Sequence, residues 1–138
     1  MPRTGRHNPA FFPFRNQEEL VITEIITFKL RTGMTRDDVV AAYRKTAPIW
    51  RANPECIRKS YLYDGDRRLG GGVYLWKSLE AAKQAHGDAW RRMINDLYGS
   101  EDQISVTYFE TPIVADNLVH QTIEEDSPDL AGLPPGTR

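Results

Sequence analysis

Four short runs dense in β-branched and aromatic residues alternate with two longer runs whose apolar residues recur every three or four positions. That order constrains the fold more than any other feature of the chain. The first run, Leu20 to Leu30, reads LVITEIITFKL. Branched and aromatic side chains fit a pleated, half-buried surface, so this segment is expected to be a strand. Arg31 to Met34 makes a turn, and Thr35 is suited to cap a helix. Asp37 and Asp38 follow in its first turn, where negative charge meets the positive end of the helix dipole. Val39, Tyr43, Ala47 and Trp50 then share one helical face. Pro48 lacks a backbone donor and is expected to bend or end that helix near Thr46. After the turn at Asn53-Pro54, Cys56 to Tyr63 reads as a second strand. Asp64-Gly65-Asp66 is hairpin chemistry, and Arg68 to Trp76 is its partner strand. Ser78 caps a second helix with the stripe Leu79, Ala82, His86, Ala89, Trp90, Met93 and Leu97. Gly87 weakens that helix by up to about 1 kcal/mol relative to alanine, and Gly99 ends it. Gln103 to Glu110 is a fourth strand, closed by Pro112.

Strand, helix, strand, strand, helix, strand, with right-handed crossovers, is an α+β, ferredoxin-like βαββαβ sandwich. It has one antiparallel four-stranded sheet with both helices on one face. The domain is expected over residues 20–114. An arm over 1–19 precedes it, and its Phe11, Phe12 and Phe14 favour docking on the core or on a partner, because leaving them in water forgoes about 1.5–3 kcal/mol each. An extension over 115–138 is expected to be partly disordered, with a short helical piece near 117–122.

The chain of 138 residues is long enough for one core. Its net charge is −1, and no block of five or six basic residues advertises nucleic acid or an anionic membrane. Cys56 is the only cysteine, so neither an internal disulfide nor a paired-cysteine zinc site is available. His7, His86 and His120 are dispersed, which disfavours a metal centre. No apolar run is long enough to span a membrane, and no apolar signal region precedes Pro9, so the expected location is the cytoplasm.

Two helices cover only one face of a sheet. The other face should then be polar in a monomer, yet both alternating sets carry apolar residues: Leu20, Ile22, Ile26 and Phe28 against Val21 and Ile25, and Leu69, Val73 and Leu75 against Tyr74 and Trp76. A second copy packed sheet to sheet would cover the open side, so a homodimer closed into an α+β barrel is expected.

The run Gly70-Gly71-Gly72 precedes a strand and not a helix, and the helix at Ser78-Leu79 opens without glycine. This is not a phosphate loop, which needs glycines at a helix N-terminus. Glycine within a strand instead admits a bulky side chain, another backbone or a ligand. Packing around Trp50 or Trp90 and a ligand pocket are both open readings.

GGGVYLWKSLEAA, followed by His86 in the helix, resembles the YdhR-like monooxygenases of the dimeric α+β barrel superfamily, which includes the antibiotic biosynthesis monooxygenases. WRANPECIRK (Trp50 to Lys59) and YFETPIVADN (Tyr108 to Asn117) resemble the same family's helix-to-strand corner and last strand. The resemblance covers about residues 20–117. It implies a cofactor-independent monooxygenase acting on a small aromatic or enolic substrate, with no flavin and no metal. Haem-degrading members of the superfamily carry a helix tryptophan where this chain has Ala85, which disfavours haem chemistry here.

The space between helices and sheet is the natural pocket. Tyr43, Trp50, His86 and Trp90 on the helix stripes, with Tyr74 on the third strand, are its candidate lining. His86 in an apolar pocket could take a substrate proton; it also suits a plain core histidine. Trp50 and Trp90 could wall an aromatic ligand or simply fill the core. Asn53 and Arg58 could hold a ligand oxyanion, although Asn53 before Pro54 also suits a turn. On the resemblance, His86 is the base and Asn53 or Arg58 the anion partner. A non-catalytic binder and a proton-transfer isomerase or cyclase fit the same residues.

Overall fold

The computed structural model describes residues 20–100, 102–118 and the backbone of 121–124. The arm over 1–19 and most of the extension lie outside the described residues. The elements are β1 (Ile22–Lys29), α1 (Arg36–Arg51), β2 (Cys56–Asp64), β3 (Leu69–Trp76), α2 (Leu79–Ala85), α3 (Asp88–Tyr98), β4 (Ile104–Glu110), β5 (Ile113–Asp116) and β6 (Gln121–Glu124). The main sheet has the order β2-β3-β1-β4 and is antiparallel throughout. This is the ferredoxin-like α+β sandwich. All three helices contribute to the main core, which packs Val39, Trp50, Ala82, Trp90 and Tyr98 against Ile22, Ile26, Phe28, Tyr74 and Trp76.

Local chemistry explains most boundaries. Thr35 closes a capping box: its hydroxyl accepts from the Asp38 N–H, and the Asp38 carboxylate accepts from the Thr35 N–H. That exchange holds the Asp38 carboxyl below the usual carboxylate range. α1 does not end near Thr46; it runs through Pro48 to Arg51. Pro48 forfeits one backbone bond, but the final turn carries Trp50 into the core at 6% exposure, and that burial holds the turn helical.

The second helix is two helices. His86 leaves helical geometry at φ −116°, ψ 47°, and Gly87 is extended and starts α3. The break places His86 at a corner and not along a straight stripe. Asn117 and Leu118 form a turn and Gln121 and Thr122 belong to a strand, where a helical piece is expected. The Asp116 carboxylate accepts from the Leu118 N–H, a turn chemistry that folds β5 back onto β6.

On the helix-free face Val21 and Leu75 are buried with Ile57 and Val114 against them. The β5 segment of the same chain thus covers one end of that face. Phe109 stays 54% exposed and Ile113 59% exposed. No described helix is long and apolar enough to cross a membrane.

The three glycines lie inside β3. A Cβ on Gly70 would meet the Tyr43 hydroxyl at 2.7 Å and the Phe28 ring at 2.8 Å, and one on Gly72 would meet the Lys59 side chain at 2.9 Å. Glycine therefore admits Tyr43, Phe28 and Lys59 to the sheet, and neither Trp50 nor Trp90 is among these closest contacts.

Candidate active site

β1 alternates its burial residue by residue, and the buried set is Ile22, Glu24, Ile26 and Phe28. Glu24 thus puts a carboxylate at the centre of an apolar face, with no exposure to solvent. Its register neighbours are Tyr74 on β3 and Tyr108 on β4. An ionised carboxylate taken out of water costs several kcal/mol unless it is paired and hydrogen-bonded. Two donors answer it. Trp76 Nε1 donates to Glu24 Oε1 at 2.8 Å. His86 Nδ1 lies 3.0 Å from Oε1 and 3.1 Å from Oε2.

The corner at His86-Gly87 delivers the imidazole to this carboxylate. The ring is surrounded by Trp90, Tyr74, Trp50 and Trp76, with centroids at 4.5, 4.7, 5.2 and 6.0 Å. Its side chain is 3% exposed. With Nδ1–H donating to Glu24, the lone pair of Nε2 remains, and Nε2 has no hydrogen-bond partner among the described residues. Trp50 Nε1 is likewise a buried donor without a partner. Unpaired buried polar atoms are rare and call for a role.

Lys59 also packs against Trp50 and Tyr74. Its Nζ lies 3.9 Å from the Tyr61 ring centroid, 4.4 Å from that of Trp50 and 4.5 Å from that of Tyr74. No carboxylate pairs with it among the described residues. Burial pulls its pKa from 10.5 down to about 7, and the Cys56 and Glu24 charges oppose that. The three ring faces also favour the ammonium. Burial pushes the Tyr43 phenol up to about 12 and the Cys56 thiol up to about 11. Both stay protonated near neutrality, so Cys56 is no ready nucleophile.

Lys59 makes stability depend on pH. Between its folded pKa of about 7 and the ordinary 10.5, the unfolded chain binds the extra proton, so stability rises with pH. The penalty is fully present below about pH 7. Above about pH 9, deprotonation of Cys56 in the unfolded chain works the other way. Wild type should therefore gain about 2 kcal/mol between pH 7 and 9, and Lys59→Met should remove that gain and stabilise the protein at pH 6.5. Urea unfolding at the three pH values checks this; an unchanged slope in Lys59→Met would contradict it.

Of the residues expected at the site, Tyr43, Trp50, Tyr74 and Trp90 line one inner cavity. Three of these, Trp50, Tyr74 and Trp90, also surround His86. The cavity is about 10 Å³, close to the space of one water. A ring-sized ligand enters only if side chains move. Two expected residues do not join the site. Asn53 Oδ1 accepts from the Glu55 N–H at 3.0 Å and shapes the turn. Arg58 pairs with Asp116 at 2.8 Å and borders a separate cleft of about 170 Å³ with Thr23, Ser60, Val73 and Val114.

Sequence reasoning missed Glu24, Trp76, Lys59 and Tyr61. Glu24 was signalled by its register, a carboxylate in step with Ile22, Ile26 and Phe28. Lys59 was masked by a bulge. Strict alternation from the buried Cys56 puts Arg58 inward, but the register shifts between Cys56 and Arg58, and Lys59 pairs with Tyr74. No group of three or more metal-ligating residues occurs among the described residues.

No family model matches the sequence, and no curated protein matches it. Solved structures do. SO0527 from Shewanella oneidensis is 21% identical, with a TM-score of 0.54, covering 70% of this chain and 93% of that one. SnoaB, a cofactor-independent oxygenase from Streptomyces nogalater, is 14% identical at a TM-score of 0.50, covering 66% and 92%. The monooxygenase of the ActVA-Orf6 gene of Streptomyces coelicolor, solved with nanaomycin D, is 15% identical at 0.51, covering 67% and 88%. The fold is theirs. It is the ferredoxin-like α+β fold, and identities this low speak for architecture alone.

Proposed function

We propose that this protein is a cofactor-independent monooxygenase acting on a small aromatic or enolic substrate, with His86 as general base and Glu24 as the group that orients it. The supporting observation is the buried Glu24–His86 pair, whose Nε2 has no partner among the described residues and sits inside a box of four aromatic rings. A carboxylate that holds Nδ1–H fixes the tautomer and aims the Nε2 lone pair at a substrate proton. Tryptophan and tyrosine faces suit a flat, electron-rich ring. The shared fold with a cofactor-independent oxygenase supports the reaction class by analogy.

The step balances without a cofactor. His86 Nε2 takes a proton from an activated ring methylene, and the resulting carbanion reduces O2 by one electron. The two radicals combine into a peroxide anion, which takes back the proton to become a hydroperoxide and then loses water. The net change is CH2 + O2 to C=O + H2O. The aromatic box excludes bulk water while this happens.

Oxygen consumption with polycyclic hydroxyaromatics bearing such a methylene tests the reading. The expected result is one O2 per carbonyl formed, reduced at least a hundredfold in His86→Gln. Substrate isomerised or cyclised without O2 would transfer the same pair to a proton-transfer enzyme. Ligand bound but unchanged would leave a carrier.

The reading extends to assembly and family. The likeness of GGGVYLWKSLEAA supports a place among the YdhR-like proteins, and the proposed location is the cytoplasm. A second copy covers the exposed Phe109 and its neighbours on the helix-free face. Sedimentation equilibrium should give twice the chain mass, and a single-chain mass at high concentration would remove the dimer.

A further inference from the structure

The proposed reaction leaves a negative charge on substrate oxygen, and the Glu24–His86 pair supplies nothing to hold it. Arg58 is committed to Asp116 and borders the separate cleft. Asn53 is committed to the turn. Lys59 and Trp50 offer donors at the inner cavity, which the Tyr74 and Tyr98 side chains also line. Trp50 is 6% exposed, and its Nε1 makes no well-formed hydrogen bond among the described residues, although the Tyr61 hydroxyl lies near it. The Tyr61 hydroxyl beside them is already engaged with Thr46 Oγ1 at 2.7 Å.

We propose that Lys59 Nζ and Trp50 Nε1 together form the site that receives the ionised oxygen of the ligand, a phenolate or enolate on an aromatic ring. The inference rests on the monooxygenase reading for its substrate class and goes beyond it in assigning the anion site. Among the described residues the Lys59 ammonium has no carboxylate partner and the Trp50 indole N–H no well-formed hydrogen bond, and an oxyanion would supply both. The cage adds selectivity: a ring seated against Trp50 and Tyr74 presents its substituent oxygen to Nζ. His86 bears on the same two rings without itself lining the cavity, so base and cation meet one bound molecule only once side chains move to admit it.

Proton accounting is simple. Lys59 titrates near 7, so free amine is present at neutral pH. A phenol arriving beside it passes its O–H proton to Nζ. The product is an ammonium–phenolate pair with no net proton taken up or released. The groups facing Nζ are Glu24 from β1, Cys56 and Tyr61 from β2, Tyr74 from β3 and Trp50 from α1. Glu24 is the only carboxylate among them, and it is already bonded to Trp76 and His86.

The test uses 1,8-dihydroxyanthraquinone, a phenolic probe with no methylene to oxidise, titrated anaerobically into the full chain at pH 7. Absorbance distinguishes bound phenolate from bound phenol. Wild type should bind the phenolate form. Lys59→Met should lose the phenolate band and at least tenfold in affinity. Trp50→Phe, which keeps a ring and removes the N–H, should lose affinity and shift the band back in part. Arg58→Ala should behave as wild type. The proposal is overturned if wild type binds only the neutral phenol or nothing, or if Lys59→Met, shown folded by circular dichroism, retains the band. The two readings separate cleanly. Lysine-dependent phenolate binding without oxygen consumption keeps this site and removes the monooxygenase. Oxygen consumption indifferent to Lys59 does the reverse.

Discussion

Glu24→Gln should leave the protein folded and lower turnover by about 10²–10⁴-fold, while Glu24→Ala should cost about 3–5 kcal/mol of stability. The two outcomes have different causes. Alanine strands Trp76 Nε1 and His86 Nδ1 as buried donors with nothing to accept from them, and each carries its desolvation penalty. It also leaves a void at the centre of the sheet face. Glutamine keeps one acceptor oxygen, enough for Trp76 or for His86. It lacks the negative charge that stabilises an imidazolium once Nε2 has taken a proton. If the pair were only a core network, glutamine would lower stability and leave oxygen consumption per folded molecule unchanged. Measuring kcat against KM, with urea midpoints on the same samples, separates the cases. Turnover within threefold of wild type in Glu24→Gln would end the catalytic assignment of the pair.

The fold was legible in the chain because its strands and helices announce themselves by different periods, and each boundary carries its own turn chemistry at Thr35, Asp64, Ser78 or Gly99. Misread segments are those where tertiary packing or a local irregularity outweighed the local signal. Pro48 argues against helix, but burial of Trp50 in the last turn outweighs the lost bond. Gly87 looks like a weak helical position, and it is a corner. The β-branched pair Ile113-Val114 and the Asp116 turn make a hairpin where a helical piece was expected. At the site, His86, Trp50, Tyr74 and Trp90 were readable as non-aliphatic residues on inward faces. The bulge before Arg58 was not readable, because an inserted residue leaves composition unchanged while exchanging the faces of everything after it. That one irregularity turns Lys59 inward and Arg58 outward, and so decides which cation can meet a ligand in the inner cavity. Glu24 was readable in principle: it interrupts an otherwise apolar face.

Gly71→Ala should cost about 4 kcal/mol or more, or prevent folding altogether. The added Cβ would sit 1.9 Å from the Ile26 carbonyl oxygen and 2.9 Å from the Ile26 carbonyl carbon. Both are backbone atoms of β1, which is paired on both sides within the sheet. A flexible side chain could swing away, whereas β1 can yield only by breaking its ladder with β3. The residue also has φ +157°, which alanine rarely adopts. Damage would reach the site by two routes. The Gly71 N–H donates to the Tyr43 hydroxyl at 3.0 Å, and that hydroxyl donates to the Leu62 carbonyl at 2.5 Å, so moving β3 unties α1 from the sheet. Tyr74 and Trp76, on the same strand, would move with it and take the box around His86 out of register. Gly87→Ala is the matched control. A Cβ there meets nothing within 4 Å and φ is −86°, so its stability should stay within about 1 kcal/mol of wild type. Denaturant midpoints for the two variants check the contrast. A Gly71→Ala midpoint equal to that of Gly87→Ala would mean that β3 does not pass as close to β1 as its glycines require.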